Sequence, residues 1–210
     1  MKQNKLQVPD AVKLKNVQAL CDQSDPYDGF GESDKVFIEA MKEIVGWHIE
    51  KSDYYAKLCQ SENFQPDSLK TLEDCLKIPH LWAHFFKGNE ILSVPREKVF
   101  LHLTSSGTTG QKSQIFFDEW TIRSAQRMVD WIFEKYGWVN EKQKCNYILF
   151  SYQTEESSKL GTAYTDNFLC KYAPVNEVFT ALKLTGSEDM SLIVLAQSTP
   201  SSVLLKQGFQ

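Results

Sequence analysis

Paired cysteines are missing from this sequence. Its five cysteines, Cys21, Cys59, Cys75, Cys145 and Cys170, are odd in number and widely spaced, and none forms a C-x-x-C pair. That argues against a disulfide framework and against a structural zinc site. No basic segment followed by an apolar one opens the chain, so no signal peptide is expected. No apolar run approaches the roughly 20 residues that a membrane-spanning helix needs. Positive charge is not in excess either. There are 23 basic and 27 acidic residues, a net charge of −4, which weighs against a nucleic-acid partner held by a general basic surface. Internal repeats and low-complexity segments are absent. What is left is ordinary: 42 % hydrophobic and 24 % charged residues in a chain of 210. Such a chain can bury a sizeable core in one large domain or two small ones. The expectation is a soluble, reduced, cytoplasmic protein with no membrane span.

Residues 1–33 are polar, with Pro26, Gly29 and Gly31 clustered, and read as a short element followed by a loop. Over 34–60, Phe37, Met41, Ile44, His48, Tyr55 and Leu58 recur at helical spacing, with Ser33 or Asp34 as the cap and Gly46 as a weak point. A second helix is expected from Pro66 to Leu76, ended by Ile78-Pro79. The aromatic stretch Leu81–Phe86 is expected to pack in a core. Val99–Leu103 and Gln114–Asp118 read as strands, Thr121–Tyr136 as a helix closed by Gly137, and Cys145–Tyr152 as a strand. A strand or short helix is expected near 175–184. Strand, loop, strand, helix, strand is the order of an α/β domain. From Met190 onward the character changes, and of these 21 residues only Lys206 is charged.

The loop between the first two strands carries the chemistry. Thr104, Ser105, Ser106, Thr108 and Thr109 surround Gly107 and Gly110, and Lys112 follows. The glycines permit positive φ and a close approach of the backbone to a ligand. Successive N–H groups in such a turn form an anion-binding concavity, the hydroxyls add donors, and the lysine adds a full charge. A polyphosphate needs this combination, because donors must replace its hydration shell. The loop is not of the G-x-x-x-x-G-K-[ST] type. Aligned on Lys112-Ser113, the two required glycines fall on Ser106 and Gln111, and a strand follows where that motif needs a helix. A flexible linker is also disfavoured, because apolar strands flank the segment on both sides.

The run S-S-G-T-T-G-x-K between two strands resembles the phosphate loop of the adenylate-forming enzymes, with Gln111 where that family often has proline. The likeness narrows over Ile78–Lys87, the loop itself, Asn146–Tyr152 and Lys159–Phe179. These segments resemble the acyl-protein synthetase of the bacterial bioluminescence fatty-acid reductase system, whose relatives also occur in non-luminous bacteria. The resemblance spans roughly residues 30–189.

It implies an α/β fold in which an N-terminal helical segment precedes part of the large N-terminal domain of an adenylate-forming enzyme. Residues 1–33 would be an extension, 34–189 the partial domain and 190–210 a divergent or truncated tail. The implied reaction uses ATP with Mg²⁺ to convert a long-chain fatty acid to its acyl-adenylate. The acyl group then passes to a protein cysteine and onward to an acyl reductase partner. Thr104, Ser105, Ser106, Gly107, Thr108, Thr109, Gly110 and Lys112 would bind the phosphates, with Lys112 as the catalytic cation. The superfamily's motifs for adenine, ribose and the C-terminal lysine are not found after residue 113. The family's acyl-accepting cysteine lies beyond the end of the chain. The expectation is therefore the N-terminal half of such an enzyme, with an inactive phosphate-binding fragment as the alternative.

Other residues carry weaker signals. Cys170 reads as a small packed residue rather than a replacement acyl acceptor. His80, His84 and His102 lack the supporting carboxylate of a metal motif, so no metal site is assigned. Lys87 reads as a structural or surface lysine. Tyr164, Thr165, Asp166 and Asn167 either line a substrate site or form a loop packed on the core.

Overall fold

The computed structural model describes residues 6–25, 32–105, 112–152, 164–165 and 168–182. The chain divides into two compact units: Met1–Leu103 with Thr109–Trp138, and Thr104–Thr108 with Val139–Gln210. Helices and small sheets alternate, a mixed α/β arrangement.

The first unit is built around one helix. α1 spans Lys15–Cys21, α2 Glu32–Lys51 and α3 Asp53–Ser61. The long periodic stretch is thus two helices, and the first begins at Glu32 rather than behind a Ser33 or Asp34 cap. The break is at Ser52. This residue is extended (φ −130°, ψ 105°), and its hydroxyl accepts from the Tyr55 amide, which starts a new helix. Gly46 lies within α2 and does not interrupt it.

α2 has two apolar faces. Ile38 and Val45 pack with Cys59, Phe64 and Leu69, and Met41 and Ile49 adjoin them. On the other side Ala40 packs with Val8, Leu14 and Val17, and Ile44 and Trp47 adjoin them. The polar N-terminal segment therefore inserts three apolar residues into a core. Glu43 on α2 holds it by accepting the amides of Asn16 at 2.7 Å and Val17 at 3.0 Å at the start of α1. Arg127 adds a bond to the Cys21 carbonyl at 2.8 Å and an ion pair with Asp22 at 2.8 Å.

The helix expected over Pro66–Leu76 is instead two 3₁₀ turns, Pro66–Ser68 and Glu73–Lys77. Between them Leu69 is extended and entirely buried, so its insertion into the core breaks the helical path. Two further 3₁₀ turns, Ala83–Lys87 and Arg96–Lys98, lead to β1 (Leu101–Thr104). Val99, expected in that strand, closes the last turn instead, its amide bonded to the Arg96 carbonyl at 3.2 Å. β1 pairs with β2 (Gln114–Phe117). Phe100 N–H donates to Phe117 O at 2.8 Å, so the start of one strand lies beside the end of the other and the two run antiparallel.

Asp118 ends the strand by capping α4 (Glu119–Lys135), its carboxylate accepting from Thr121 N–H at 2.8 Å. Gly137, at φ +66°, closes that helix as expected. Gly137 N–H donates to Glu134 O and Trp138 N–H to Phe133 O, while the Phe133 and Trp138 rings meet edge to face at 5.1 Å.

In the second unit β3 (Cys145–Tyr152) and β4 (Val175–Leu182) pair in parallel, with Tyr147 opposite Val178 and Ile148 opposite Phe179. Parallel pairing is the mark of α/β construction. The Tyr147 hydroxyl accepts from Ala173 N–H at 2.8 Å and donates to Ala173 O at 3.1 Å, anchoring the approach to β4. Among the described residues no helix is long and apolar enough to cross a membrane.

Candidate functional site

The loop is carried by the β1–β2 hairpin. Thr104 is the last residue of β1 and is half-buried, not the first residue of the loop. Ser105 follows it, exposed. Ser106, Gly107, Thr108, Thr109 and Gly110 lie outside the described residues, as does Gln111. Lys112 is described and exposed, at the entrance to β2.

The exit of the loop is tied down. Ser113, half-buried, donates its hydroxyl to the Ala83 carbonyl at 3.3 Å. The Ala83–Lys87 turn thereby packs against β2. Sequence reasoning had the two segments as separate features 30 residues apart. The turn is not core. Trp82 is 75 % exposed, and Ala83 and His84 are also exposed, while Phe85, Phe86 and Lys87 are half-buried. Phe85 finds its partner in Tyr54, at 4.8 Å between rings. The aromatic run is therefore split, one part packing inward and Trp82 facing water. Its local composition does not reveal this, because the sorting depends on which rings reach α3.

The histidines are dispersed. His80 lies against Trp82 at 5.1 Å, and His102 stacks on Phe116 at 4.3 Å with its Nε2 buried and without a hydrogen-bond partner. Among the described residues no three His, Cys, Asp or Glu side chains converge on a metal position. Sequence reasoning missed a polar pair: His48 Nδ1 is 2.7 Å from Ser93 Oγ. Burial pushes the His48 pKa below its ordinary value, so the ring favours its neutral form. No local signal links these residues, which are 45 positions apart.

In the second unit Cys170 is half-buried, Tyr164 is half-buried and Thr165 is exposed; Asp166 and Asn167 lie outside the described residues. All five cysteines are free thiols.

Chemically, the first unit offers an exposed ammonium, Lys112, at the start of β2 beside the turn that Ser113 braces. That set suits an anion rather than a metal or an acid–base pair. A family model described as acyl-protein synthetase, LuxE, matches residues 9–157, a span that includes the whole of 104–113. No curated protein matches the chain.

Proposed function

The chain belongs to the LuxE acyl-protein synthetase family, and we propose that it handles the ATP-dependent step of that chemistry, the activation of a fatty acid as its acyl-adenylate. In this reading residues 34–189 correspond to part of the large domain of an adenylate-forming enzyme. The observation that carries the proposal is a family match that runs through the hydroxyl- and glycine-rich loop 104–113 and its lysine.

The fatty-acid carboxylate attacks the α-phosphorus of ATP, and the bond to the pyrophosphate oxygen breaks. One product is the acyl-adenylate and the other is pyrophosphate. Charge builds on the leaving pyrophosphate. Lys112 neutralises part of that charge, while the hydroxyls of Thr104, Ser105, Ser106, Thr108 and Thr109 and the loop amides donate to its oxygens. Gly107 and Gly110 let the backbone approach. Such a step gains mostly from positioning and from fixed charge. Mg²⁺ would enter with the nucleotide and supply further positive charge to the leaving pyrophosphate. The activated acyl group would then pass to a cysteine thiol and from there to an acyl reductase.

The test is exchange of labelled pyrophosphate into ATP with fatty acids of graded chain length. Exchange that depends on the acid supports activation. Lys112→Ala should lower it by about 10²–10³-fold, the typical cost of removing one well-placed electrostatic partner. Exchange that survived Lys112→Ala would overturn the role of the loop. Binding of ATP without any exchange would reduce the chain to a phosphate-binding module.

A further inference from the structure

α2 and the approach to β1 bring a hydroxyl and a base together. His48 Nδ1 is 2.7 Å from Ser93 Oγ, across 45 positions of chain. Both residues are half-buried. The imidazole is carried by the long helix α2, which fixes its backbone. The Tyr55 ring meets it edge to face at 6.1 Å, and the Tyr55 hydroxyl donates to the Pro79 carbonyl at 2.9 Å. Burial favours the neutral imidazole, the form that can take a proton. Ser93 is held from its own side, because Glu90 and Arg96 form an ion pair that closes the segment around it.

The surroundings of Ser93 point to the kind of ligand. Between Gly88 and Pro95 the only charged residue is Glu90, and Arg96 neutralises it. Ile91, Leu92 and Val94 flank the serine and are half-buried. These neighbours suit a neutral group that carries an apolar chain. A phosphate would need charged donors in place of its hydration shell.

We propose that Ser93 and His48 form a nucleophile–base dyad that accepts an acyl group from an activated ester. The dyad needs neither Lys112 nor any residue of the 104–111 loop. A serine hydroxyl is a weak nucleophile until a base within hydrogen-bond reach takes its proton, and 2.7 Å is within that reach. Ser93 Oγ attacks the acyl carbonyl carbon while its proton passes to His48 Nδ1. The bond from that carbon to the leaving oxygen breaks, and the proton goes to the leaving alcohol. The acyl group is then an ester of Ser93. Water, deprotonated by the same imidazole, releases it as the free acid and restores the serine.

The full chain is treated with a long-chain alkyl fluorophosphonate, from which a nucleophilic serine displaces fluoride, and the label is located by peptide mass spectrometry. It should fall on Ser93. The unlabelled chain should hydrolyse p-nitrophenyl esters of graded chain length and lose that activity in step with labelling. Ser93→Ala should abolish both labelling and hydrolysis. His48→Gln should slow both by about 10²-fold or more, the scale of a positioned general base, with thermal melts showing that its fold is retained. A wild type that takes no label on Ser93, or that still hydrolyses esters when fully labelled, overturns the proposal. Labelling at an unchanged rate in folded His48→Gln does the same, and leaves the pair as a tie between α2 and the segment before β1.

Discussion

His48 occupies α2 with its Nδ1 2.7 Å from the Ser93 hydroxyl and its ring edge-on to Tyr55 at 6.1 Å. Burial lowers its pKa from 6.5, so the folded chain takes up this proton less readily than the unfolded chain. Stability is therefore untouched well above 6.5 and is lost as pH falls below it toward the depressed folded value. His48→Gln keeps a hydrogen-bonding group but removes the titration. Urea midpoints at neutral pH and at about pH 5.5 should fall less for the variant than for the wild type. Equal falls would show that His48 does not supply this acid sensitivity. At the same scale, Lys112 stands out in the sequence as a cation after a hydroxyl- and glycine-rich turn, and the structure leaves it exposed at the entrance to β2. Ser93 was not legible, because a serine in an apolar stretch carries no signal until its partner is known.

Elements show where local signals suffice. Gly137 and the run Cys145–Tyr152 each announce a boundary or a strand, and each behaves as its chemistry dictates, whereas Asp118, expected to end a strand, caps α4 instead. α1 differs. Its N-terminal amides are capped from another helix, by Glu43, which also accepts from the Asn16 side chain at 2.6 Å. Three donors depend on one carboxylate. Glu43→Ala should cost about 1.5–3 kcal/mol, the range for hydrogen bonds to a charged group. Chemical denaturation measures this directly, and a loss below half a kilocalorie would mean that water replaces the cap. Asp74 plays a similar part in the Glu73–Lys77 region. Lys77 and then the amides of Lys70 and Thr71 hold its carboxyl well below the usual range.

At the scale of the molecule, the first unit rests on two clusters on opposite faces of α2. Leu69 is at the bottom of one of them, fully enclosed among Ile38, Val45, Cys59 and Phe64. Leu69→Ala leaves a cavity and should cost about 2–5 kcal/mol. A change under 1 kcal/mol in the urea-derived stability would show that this leucine does not close the core. In the second unit Ile148, Val175 and Val178 keep close to half their surface exposed on a two-stranded parallel sheet.

By itself the sequence determined the strands near 101–104, 114–117 and 145–152, the helix after Asp118, the mixed α/β class and the family. These depend on period, on capping residues and on a loop whose composition has few uses, all within a few residues of chain. Only the tertiary structure decided that α2 ends at Ser52, that Val8, Leu14 and Val17 are buried, that Leu69 breaks a helix, and that Trp82 stands in water beside the exit of the loop. The burial of Val8, Leu14, Val17 and Leu69 depends on partners tens of residues away. Burial and hydrogen bonding respond to what is near in space, and local period and propensity do not encode that.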